Sequence, residues 1–502
     1  MSVTKRIGRE YAAQLAGIAV VVVDRFLVTA ILLRAWGVET FALWSVAIAA
    51  AGMIAFFDFG LNLYFSNRLT FSVEQGKARR AQHAYRAGNL LVLAAAALGA
   101  VVICAAFWGF GDHFVEGRVD LVLFGTVVAL VLGAASKYAL SVQYYLYRAH
   151  RQFERQTYLN ALTDLCRIAA AGIVALCGGG MLAAALAYLA GALLSSLPVV
   201  LLDARRRFPA FSFGFEIPNR AERKVIPPIA FGFWAQSVPL TILTFVPVFV
   251  LAAIGAGAAG IAQFVLIRTL ANMARMAPQL MATVLGQEAG RLFGRREYEA
   301  MFVVYREGCK LLAAQSAGMV GVILALAAPL FAAWTNHPQL YNEPMLWFAL
   351  APLALGPSLV LANAVFGHTN RPWDMASGRV VQLVLTVIAF IPLPIEEPAL
   401  RLMAALAIGE VLGFGICSYL GIRRLLPKAD LVFMLDLLAR VILSGAFCYG
   451  VAAIVYRLLG PSIASLAAAC LAGGGAILVA SFLIGMERGR RAVLFAIVKR
   501  TA

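Results

Sequence analysis

A stripe of four polar side chains interrupts an apolar stretch in the second half of the chain. Arg268, Asn272, Arg275 and Gln279 follow the spacing i, i+4, i+7, i+11, so a helix would carry them along one face. No Asp or Glu lies within one helical turn of either arginine. A guanidinium donates two hydrogen bonds to one phosphate and stays charged when dehydrated. The pattern therefore suits the binding of a phosphate or diphosphate group.

The first half of the chain has a similar basic stripe in an equally apolar stretch. Lys137 is followed by Ser141, Tyr144 and Arg148 at helical spacing. We expect the two stripes, one from each half, to line a shared cavity. The alternative is structural, because basic side chains inside a helix bundle can also anchor packing through backbone carbonyls.

Arg25 and Arg167 are further candidates for an anion site, but each has an acidic neighbour. Asp24 adjoins Arg25, and Asp164 precedes Arg167 by three residues, a spacing at which helical side chains meet. A local ion pair would neutralise both members. Anion binding and local pairing therefore both stay open for these two arginines.

Three acidic residues in apolar stretches, Asp58, Glu410 and Asp24, are candidates for ion coupling. A buried carboxylate can titrate or ligate a cation. Asp58, with Asn62 four residues on, also fits a simpler role as a loop anchor near the membrane surface. The five histidines are dispersed, and no Ser-His-Asp, Cys-His or metal-ligand cluster occurs. The sequence therefore predicts no catalytic site, no metal centre and no cofactor.

The composition of the chain excludes an ordinary soluble domain. Of its 502 residues, 62% are hydrophobic and 13% are charged, whereas soluble domains are about 45–50% apolar and about 25% charged. Runs of the roughly 20 apolar residues that a membrane span needs recur along the chain. They lack the alternation of membrane β-strands. We therefore predict an all-α polytopic membrane protein.

Fourteen apolar runs are long enough to be spans. Lys and Arg are retained on the cytoplasmic side of a membrane, and with the N-terminus inside, the inner segments hold 32 of the 42 basic residues. Both termini are therefore predicted to be cytoplasmic, and the net charge of +17 reflects topology rather than a nucleic-acid partner. The predicted spans are 11–33, 41–63, 88–110, 119–145, 158–177, 181–202, 229–254, 260–285, 311–334, 345–366, 380–394, 402–420, 431–456 and 462–485.

The longest break between spans divides the chain into two lobes. Residues 203–228 combine six basic residues with four phenylalanines, which suits the headgroup region, so we predict a cytoplasmic interfacial linker against membrane lipids. An N-terminal six-helix lobe, 1–202, precedes it. A C-terminal six-helix lobe, 229–425, follows it. Two additional helices and a basic cytoplasmic tail occupy 426–502.

The two predicted lobes show a faint internal repeat. The run from Gly37 to Leu43 joins the first two spans, and the run from Gly257 to Gln263 joins the seventh and eighth, 220 residues later. Six spans is an even number, so both lobes would have the same orientation. Their symmetry axis would then run along the membrane normal, as in parallel-repeat transporters.

The first predicted hairpin resembles that of a known transporter family. The run from Leu32 to Leu43, followed by Phe57-Asp58-Phe59-Gly60-Leu61-Asn62, is similar to the first hairpin of polysaccharide (lipid-linked oligosaccharide) flippases. These belong to the multidrug/oligosaccharidyl-lipid/polysaccharide exporter superfamily. They often show a Gly and an aromatic before the second span, then Asp-hydrophobic-Gly-Leu near its inner end. Length, span number, repeat and linker position agree with the family over the whole chain.

The resemblance implies that the protein moves a polyprenyl-diphosphate-linked oligosaccharide across the bacterial inner membrane. The substrate would be an O-antigen or exopolysaccharide repeat unit, carried from the cytoplasmic to the outer leaflet by alternating access. Peptidoglycan-precursor flippases of the superfamily place arginines in spans one and eight, matched here by Arg25 and Arg268. A coupling H+ or Na+ and a polysaccharide polymerase are further partners compatible with this function.

Two other classes of protein remain as alternatives. A multidrug or cation antiporter of the same superfamily would need uncompensated acids in its cavity, whereas the stripe residues here are basic. A membrane enzyme of polysaccharide assembly would need a sizeable outer loop, and no predicted outer connection exceeds about ten residues. The flippase is the preferred interpretation, and we do not expect an enzyme.

The predicted orientation is testable by cysteine labelling in a background without native cysteines. Cysteines at positions 179 and 257 should react with an impermeant maleimide added to intact cells, whereas cysteines at 75 and 488 should react only after permeabilisation. Labelling of position 75 or 488 in intact cells would contradict the orientation inferred from the basic residues.

Overall fold

The computed structural model describes residues 13, 16–115, 119–369 and 371–485, and within these ranges the chain is helical with no strand. The predicted basic N-terminus and C-terminal tail lie outside the described residues. The helices are α1 Ala16–Asp58, α2 Leu61–Glu74, α3 Ala78–Phe110, α4 Leu121–Ala139, α5 Ser141–Ala149, α6 Phe153–Leu176, α7 Met181–Arg207, α8 Arg220–Ala253, α9 Gly257–Gly294, α10 Tyr298–Thr335, α11 Glu343–Leu355, α12 Pro357–His368, α13 Pro372–Phe390, α14 Pro398–Leu425, α15 Leu431–Leu459 and α16 Ile463–Leu483.

Eleven helices in the described ranges are long and apolar enough to cross a membrane. One of them, α1, turns at Gly37 (φ 77°, ψ −179°) and so provides two arms, 16–36 and 38–58. Each arm has the length of a span at about 1.5 Å per residue. Helix α9 and the consecutive pair α11–α12 are further apolar stretches, so the number of possible spans is close to the fourteen predicted. The all-α fold and the approximate number of spans are confirmed.

Several helices begin or end away from the predicted limits. Helices α3, α9 and α10 run past the predicted spans by two or more turns. Helix α8 begins at Arg220, inside the predicted linker, because Asn219 and Glu222 form a capping box at its start. Helix α13 covers 372–390 instead of 380–394. That shift places Arg379 two turns inside a helix rather than in a connecting segment.

The chain forms two compact units, Met1–Ala262 and Gln263–Ala502. Helix α8 packs against α1 and α2 and therefore belongs to the first unit. The boundaries predicted for the two six-helix lobes remain a prediction. In the second unit, α15 and α16 pack against α10, and α10 approaches α15 so closely that a Cβ at Gly321 would overlap the carbonyl oxygen of Gly445. Small residues allow such close helix contacts.

The internal repeat has a counterpart in backbone conformation. Gly37 and Gly257 both have positive φ, 77° and 68°, at the turns that the repeat aligned. A second pair of helix breaks lies at 75–77 and 295–297, again 220 residues apart. Glycine adopts positive φ without the steric cost that other residues meet. Local turns therefore recur along the chain at the offset found in the sequence.

The Asp58-Phe59-Gly60 segment reverses the chain between α1 and α2. Asp58 Oδ1 accepts a hydrogen bond from the Asn62 backbone N–H at 3.1 Å and another from the Tyr138 hydroxyl. Gly60 has a φ of 71°, and a Cβ there would overlap the carbonyl oxygen of Ala230 on α8. The acid and the glycine of the family-like motif thus both make close contacts at this turn.

Candidate functional site

The second unit contains an arginine and a glutamate paired across two helices. Arg275 on α9 donates from Nη1 to Glu410 Oε1 at 2.6 Å and from Nη2 to Glu410 Oε2 at 2.9 Å. This forked geometry is the strong form of an arginine–carboxylate contact. The Arg275 side chain is 30% exposed and that of Glu410 is 19% exposed. Sequence spacing suggested that Arg275 had no acidic neighbour, and this expectation was wrong because the partner lies on another helix.

A π-helical turn in α14, Gly409–Gly415, positions Glu410. The widened turn packs tightly against α13: a Cβ at Gly409 would overlap Thr386 Oγ1, and one at Gly413 would lie 2.7 Å from Gln382 Cα. Glycines at these two positions allow the backbones to approach. π-Helical turns inside α-helices are frequent at functional sites. Here the turn brings a carboxylate and a neighbouring helix to the same point.

Arg379 on α13 is a third basic residue at this point and was not among the predicted site residues. Its guanidinium stacks 3.8 Å from the centroid of the Phe414 ring, and Nη1 donates to Gln382 Oε1 at 2.6 Å. It interacts electrostatically with Glu410 and Arg275. The sequence held one signal for it: Gln382 lies three residues after Arg379, so both would share a helix face. The misplaced start of the span concealed that signal.

Arg268 completes what we call the second-unit cluster, Arg268, Arg275, Arg379 and Glu410. Its guanidinium lies 5.7 Å from the centroid of the Phe264 ring, one turn earlier on α9, and it interacts electrostatically with Glu410. The cluster thus contains three arginines and one carboxylate, an excess of two positive charges. Asn272 and Gln279, from the same predicted stripe, are exposed.

The first unit has a comparable cluster centred on Asp164, which we call the first-unit cluster: Asp24, Arg25, Lys137, Asp164 and Arg167. Lys137 Nζ on α4 lies 2.6 Å from Asp164 Oδ1, and Arg167 Nη2 lies 2.8 Å from the same oxygen. Arg167 also stacks over Tyr188 of α7 at 5.1 Å. The local pair expected from the spacing of Asp164 and Arg167 is therefore present, and Lys137 joins it.

Asp24 and Arg25 lie on a second π-helical turn, Val23–Val28, in the first arm of α1. Arg25 Nε lies 3.9 Å from Asp24 Oδ2, and the Arg25 side chain is 53% exposed. Asp24 interacts electrostatically with Arg167 and Lys137. The first-unit cluster contains three basic and two acidic residues, an excess of one positive charge. In both units a π-helical turn carries an acid into a basic cluster.

The predicted stripe below Lys137 is divided in the structure. The α-helix is interrupted by a turn at Leu140, between α4 and α5. Beyond it, Ser141 hydrogen-bonds Asn62, and Arg148 Nη1 lies 3.5 Å from Ser66 Oγ, both on α2. The Tyr144 hydroxyl instead lies 3.4 Å from Thr163 Oγ1 on α6. The residues of the predicted stripe therefore contact two different helices. Lys137 belongs to the first-unit cluster, whereas Arg148 contacts α2.

Comparisons with known proteins support the fold and leave the substrate open. No protein-family model and no curated protein matches the sequence. An inward-facing multidrug resistance MATE family transporter of the MOP superfamily has a TM-score of 0.67 at 16% identity, over 83% of this chain and 99% of that chain. The lipid II flippase MurJ in an inward closed conformation has a TM-score of 0.64 at 11% identity, over 95% of this chain and 98% of that chain. A Vibrio cholerae MATE transporter, VcmN, has a TM-score of 0.61 at 14% identity, over 86% of this chain and 98% of that chain.

These similarities define the class of the protein at the level of fold. At identities below 20%, structural likeness shows shared architecture rather than shared substrate. The chain shares the fold of these MATE transporters and of MurJ.

The Arg275–Glu410 pair predicts a measurable energetic coupling. Arg275→Ala leaves the carboxylate in a low-dielectric site without its forked partner, so it should lower the free energy of unfolding in detergent by about 2 kcal/mol. Glu410→Ala together with Arg275→Ala should recover most of that loss.

An exposed ion pair on α9 provides the control for this double-mutant measurement. Arg291 Nη2 lies 2.8 Å from Glu288 Oε1, with side chains 61% and 41% exposed, so its coupling should stay below about 1 kcal/mol. A double-mutant cycle read by thermal or denaturant unfolding measures both pairs. Equal couplings for the two pairs would show that the Arg275–Glu410 contact is no stronger than a surface ion pair.

Proposed function

We propose that the protein is a flippase for a polyprenyl-diphosphate-linked oligosaccharide, moving it from the cytoplasmic to the outer leaflet of the bacterial inner membrane by alternating access. The observation that carries this proposal is the second-unit cluster, in which three arginines surround one carboxylate. Charges in the bilayer are costly and mark substrate or ion pathways. An excess of positive charge there suits an anionic ligand.

A diphosphate diester suits this cluster in charge and in geometry. It carries two negative charges, which equal the excess of the second-unit cluster. Arginine is the residue that binds phosphate oxygens through two parallel hydrogen bonds. Arg268 and Arg275 are seven residues apart on α9, two helical turns, so their guanidinium groups can bind different oxygens of one headgroup. We assign Arg268, Arg275 and Arg379 to the diphosphate.

The first-unit cluster provides a second basic region for the same substrate. Arg25, with more than half of its side chain exposed, is its most accessible cation. Asp164 is already held by Lys137 and Arg167. We assign Arg25 to substrate contact, and Lys137 and Arg167 to holding the local charge balance that keeps Arg25 in place. Asn272 and Gln279, being exposed on α9, would donate hydrogen bonds to the sugars.

The multidrug antiporter remains the second candidate because MATE transporters share the fold. Binding a cationic drug needs a carboxylate without a basic partner. Asp164 and Glu410 each have such a partner within 3 Å, and Arg25 lies 3.9 Å from Asp24. The charge of the second-unit cluster therefore favours the flippase.

Ion coupling belongs to the same proposal. Glu410 is the best placed acid, because its protonation would weaken the forked contact and release Arg275 for substrate. Asp24 is the equivalent candidate in the first unit. Asp58 accepts hydrogen bonds from Asn62 and Tyr138 in the loop between α1 and α2, so we assign it a structural role. Either H+ or Na+ could provide the gradient.

The decisive experiment uses purified protein in vesicles that hold a fluorescent polyprenyl-diphosphate oligosaccharide, with an impermeant reductant to quench the outer leaflet. Arg268→Ala should slow flipping by about tenfold or more, since a charge-assisted hydrogen bond contributes roughly 1.5–3 kcal/mol. Arg268→Lys should recover only part of the rate, because a point charge cannot make the forked contact.

The matched control is Arg291→Ala, which removes an exposed arginine from the same helix outside the cluster. Its flipping rate should equal that of the wild type. If Arg268→Ala flips the lipid at the wild-type rate and at equal protein content, α9 does not contribute to the substrate site. Efflux of a cationic dye by vesicles that do not flip the lipid would instead support the antiporter.

A further inference from the structure

The segment between α7 and α8 forms an extended strap over residues 211–217, outside both charge clusters. It has no regular secondary structure, and every second residue is bound to α3. These contacts fix the orientation of the strap, so that one edge faces the protein. The hydrogen bonds run from Gln82 Nε2 to the Ser212 carbonyl oxygen (2.7 Å), from Asn89 Nδ2 to the Gly214 carbonyl oxygen (3.4 Å) and from His83 Nδ1 to Glu216 Oε1 (2.6 Å).

The opposite edge of the strap is apolar and exposed. Phe213 and Phe215 are each 52% exposed, and Ile217 is 70% exposed. The two phenylalanine rings pack edge to face with centroids 5.4 Å apart. Exposed apolar residues in a contiguous row mark a surface that is covered by a partner or by lipid. The other two phenylalanines of the segment, Phe208 and Phe211, point inward against His150.

Acidic residues near the strap are all neutralised by specific partners. Asp203 is paired with Arg155, and Glu216 with His83. Glu222 accepts from both Arg68 and His83 Nε2. A larger set of basic residues near the strap is exposed and makes no ion pair within the described part of the chain. These residues are Arg79, Arg80, Arg205, Arg206, Arg220, Arg223 and Lys224.

A cavity of about 660 Å³ lies between α2, α3, the strap and the start of α8. Arg79 and Arg80 form part of its wall, with Arg68 and His83 deeper against Glu222. Because Glu222 already satisfies Arg68 and His83, the two exposed arginines are the ones left to bind an anion. The cavity therefore offers a basic site that is bordered by the strap at Glu216.

We propose that the strap is a docking surface for anionic phospholipid. The headgroup phosphate binds Arg79 and Arg80 at the cavity, while the acyl chains cover Phe213, Phe215 and Ile217. Aromatic residues favour the membrane interface, and clusters of four to eight basic residues bind anionic headgroups there. A neutral or zwitterionic lipid would satisfy the apolar edge but leave the basic residues without counter-charge. The surface therefore selects anionic lipid.

The test uses the full-length protein in detergent, titrated with phosphatidylglycerol or phosphatidylcholine and read by native mass spectrometry. The wild type should bind phosphatidylglycerol more tightly. Arg79→Ala/Arg80→Ala should weaken phosphatidylglycerol binding by about thirtyfold, since each basic residue at an anionic surface contributes about a factor of five. Phe213→Ser/Phe215→Ser should weaken binding of both lipids.

The control is Arg423→Ala/Arg424→Ala, an adjacent and exposed arginine pair at the end of α14. Its phosphatidylglycerol affinity should match the wild type, and unfolding curves should show that all variants are folded. If both double variants lose the same phosphatidylglycerol affinity, the effect comes from the overall charge of the protein and the proposal is overturned. Full displacement of the lipid by millimolar inorganic phosphate would also overturn it, because the apolar edge would then contribute nothing.

Discussion

A charged side chain in the bilayer core costs about 2.5–3.5 kcal/mol on insertion scales unless a partner or water compensates it. Both units meet this constraint by gathering charges from several helices. Asp164 is shared by Lys137 and Arg167, and Glu410 is held by the fork of Arg275. These contacts need helices that approach closely. Glycines where α14 meets α13 allow that approach, because a Cβ there would overlap the neighbouring helix. In our proposal, the basic residues in excess of the acids bind the anionic headgroup of the substrate.

The two π-helical turns are the local means by which the acids reach their partners. An α-helix with one widened turn changes the direction of the side chains within it, and Asp24 and Glu410 both lie on such turns. The basic residues outnumber the acidic ones by one in the first-unit cluster and by two in the second-unit cluster. We propose on this balance that the site takes a dianionic headgroup rather than a cationic drug, which a net negative charge would suit better.

Hydrophobic periodicity was sufficient to predict the all-α fold and the approximate number of spans, because lipid requires long apolar helices. Spacing along one helix was sufficient to predict the Asp164–Arg167 ion pair. It could not reveal the Arg275–Glu410 contact, whose members are 135 residues apart, nor the break at Leu140 that divides the Lys137 stripe. Arg379 was missed because the start of α13 was placed too late. Contacts between helices depend on packing, which local patterns do not encode.

The central claim is that excess positive charge in the helical units binds a diphosphate. The most direct measurement is calorimetric titration of the purified protein with farnesyl diphosphate, farnesyl phosphate and farnesol, three ligands with the same apolar tail, at about pH 5, where the diphosphate carries two negative charges and the monophosphate one. We expect the diphosphate to bind at least about tenfold more tightly than the monophosphate, a difference of about 1.4 kcal/mol, and farnesol to bind weakly. Equal affinities for all three would show that the tail alone is recognised and would contradict the claim.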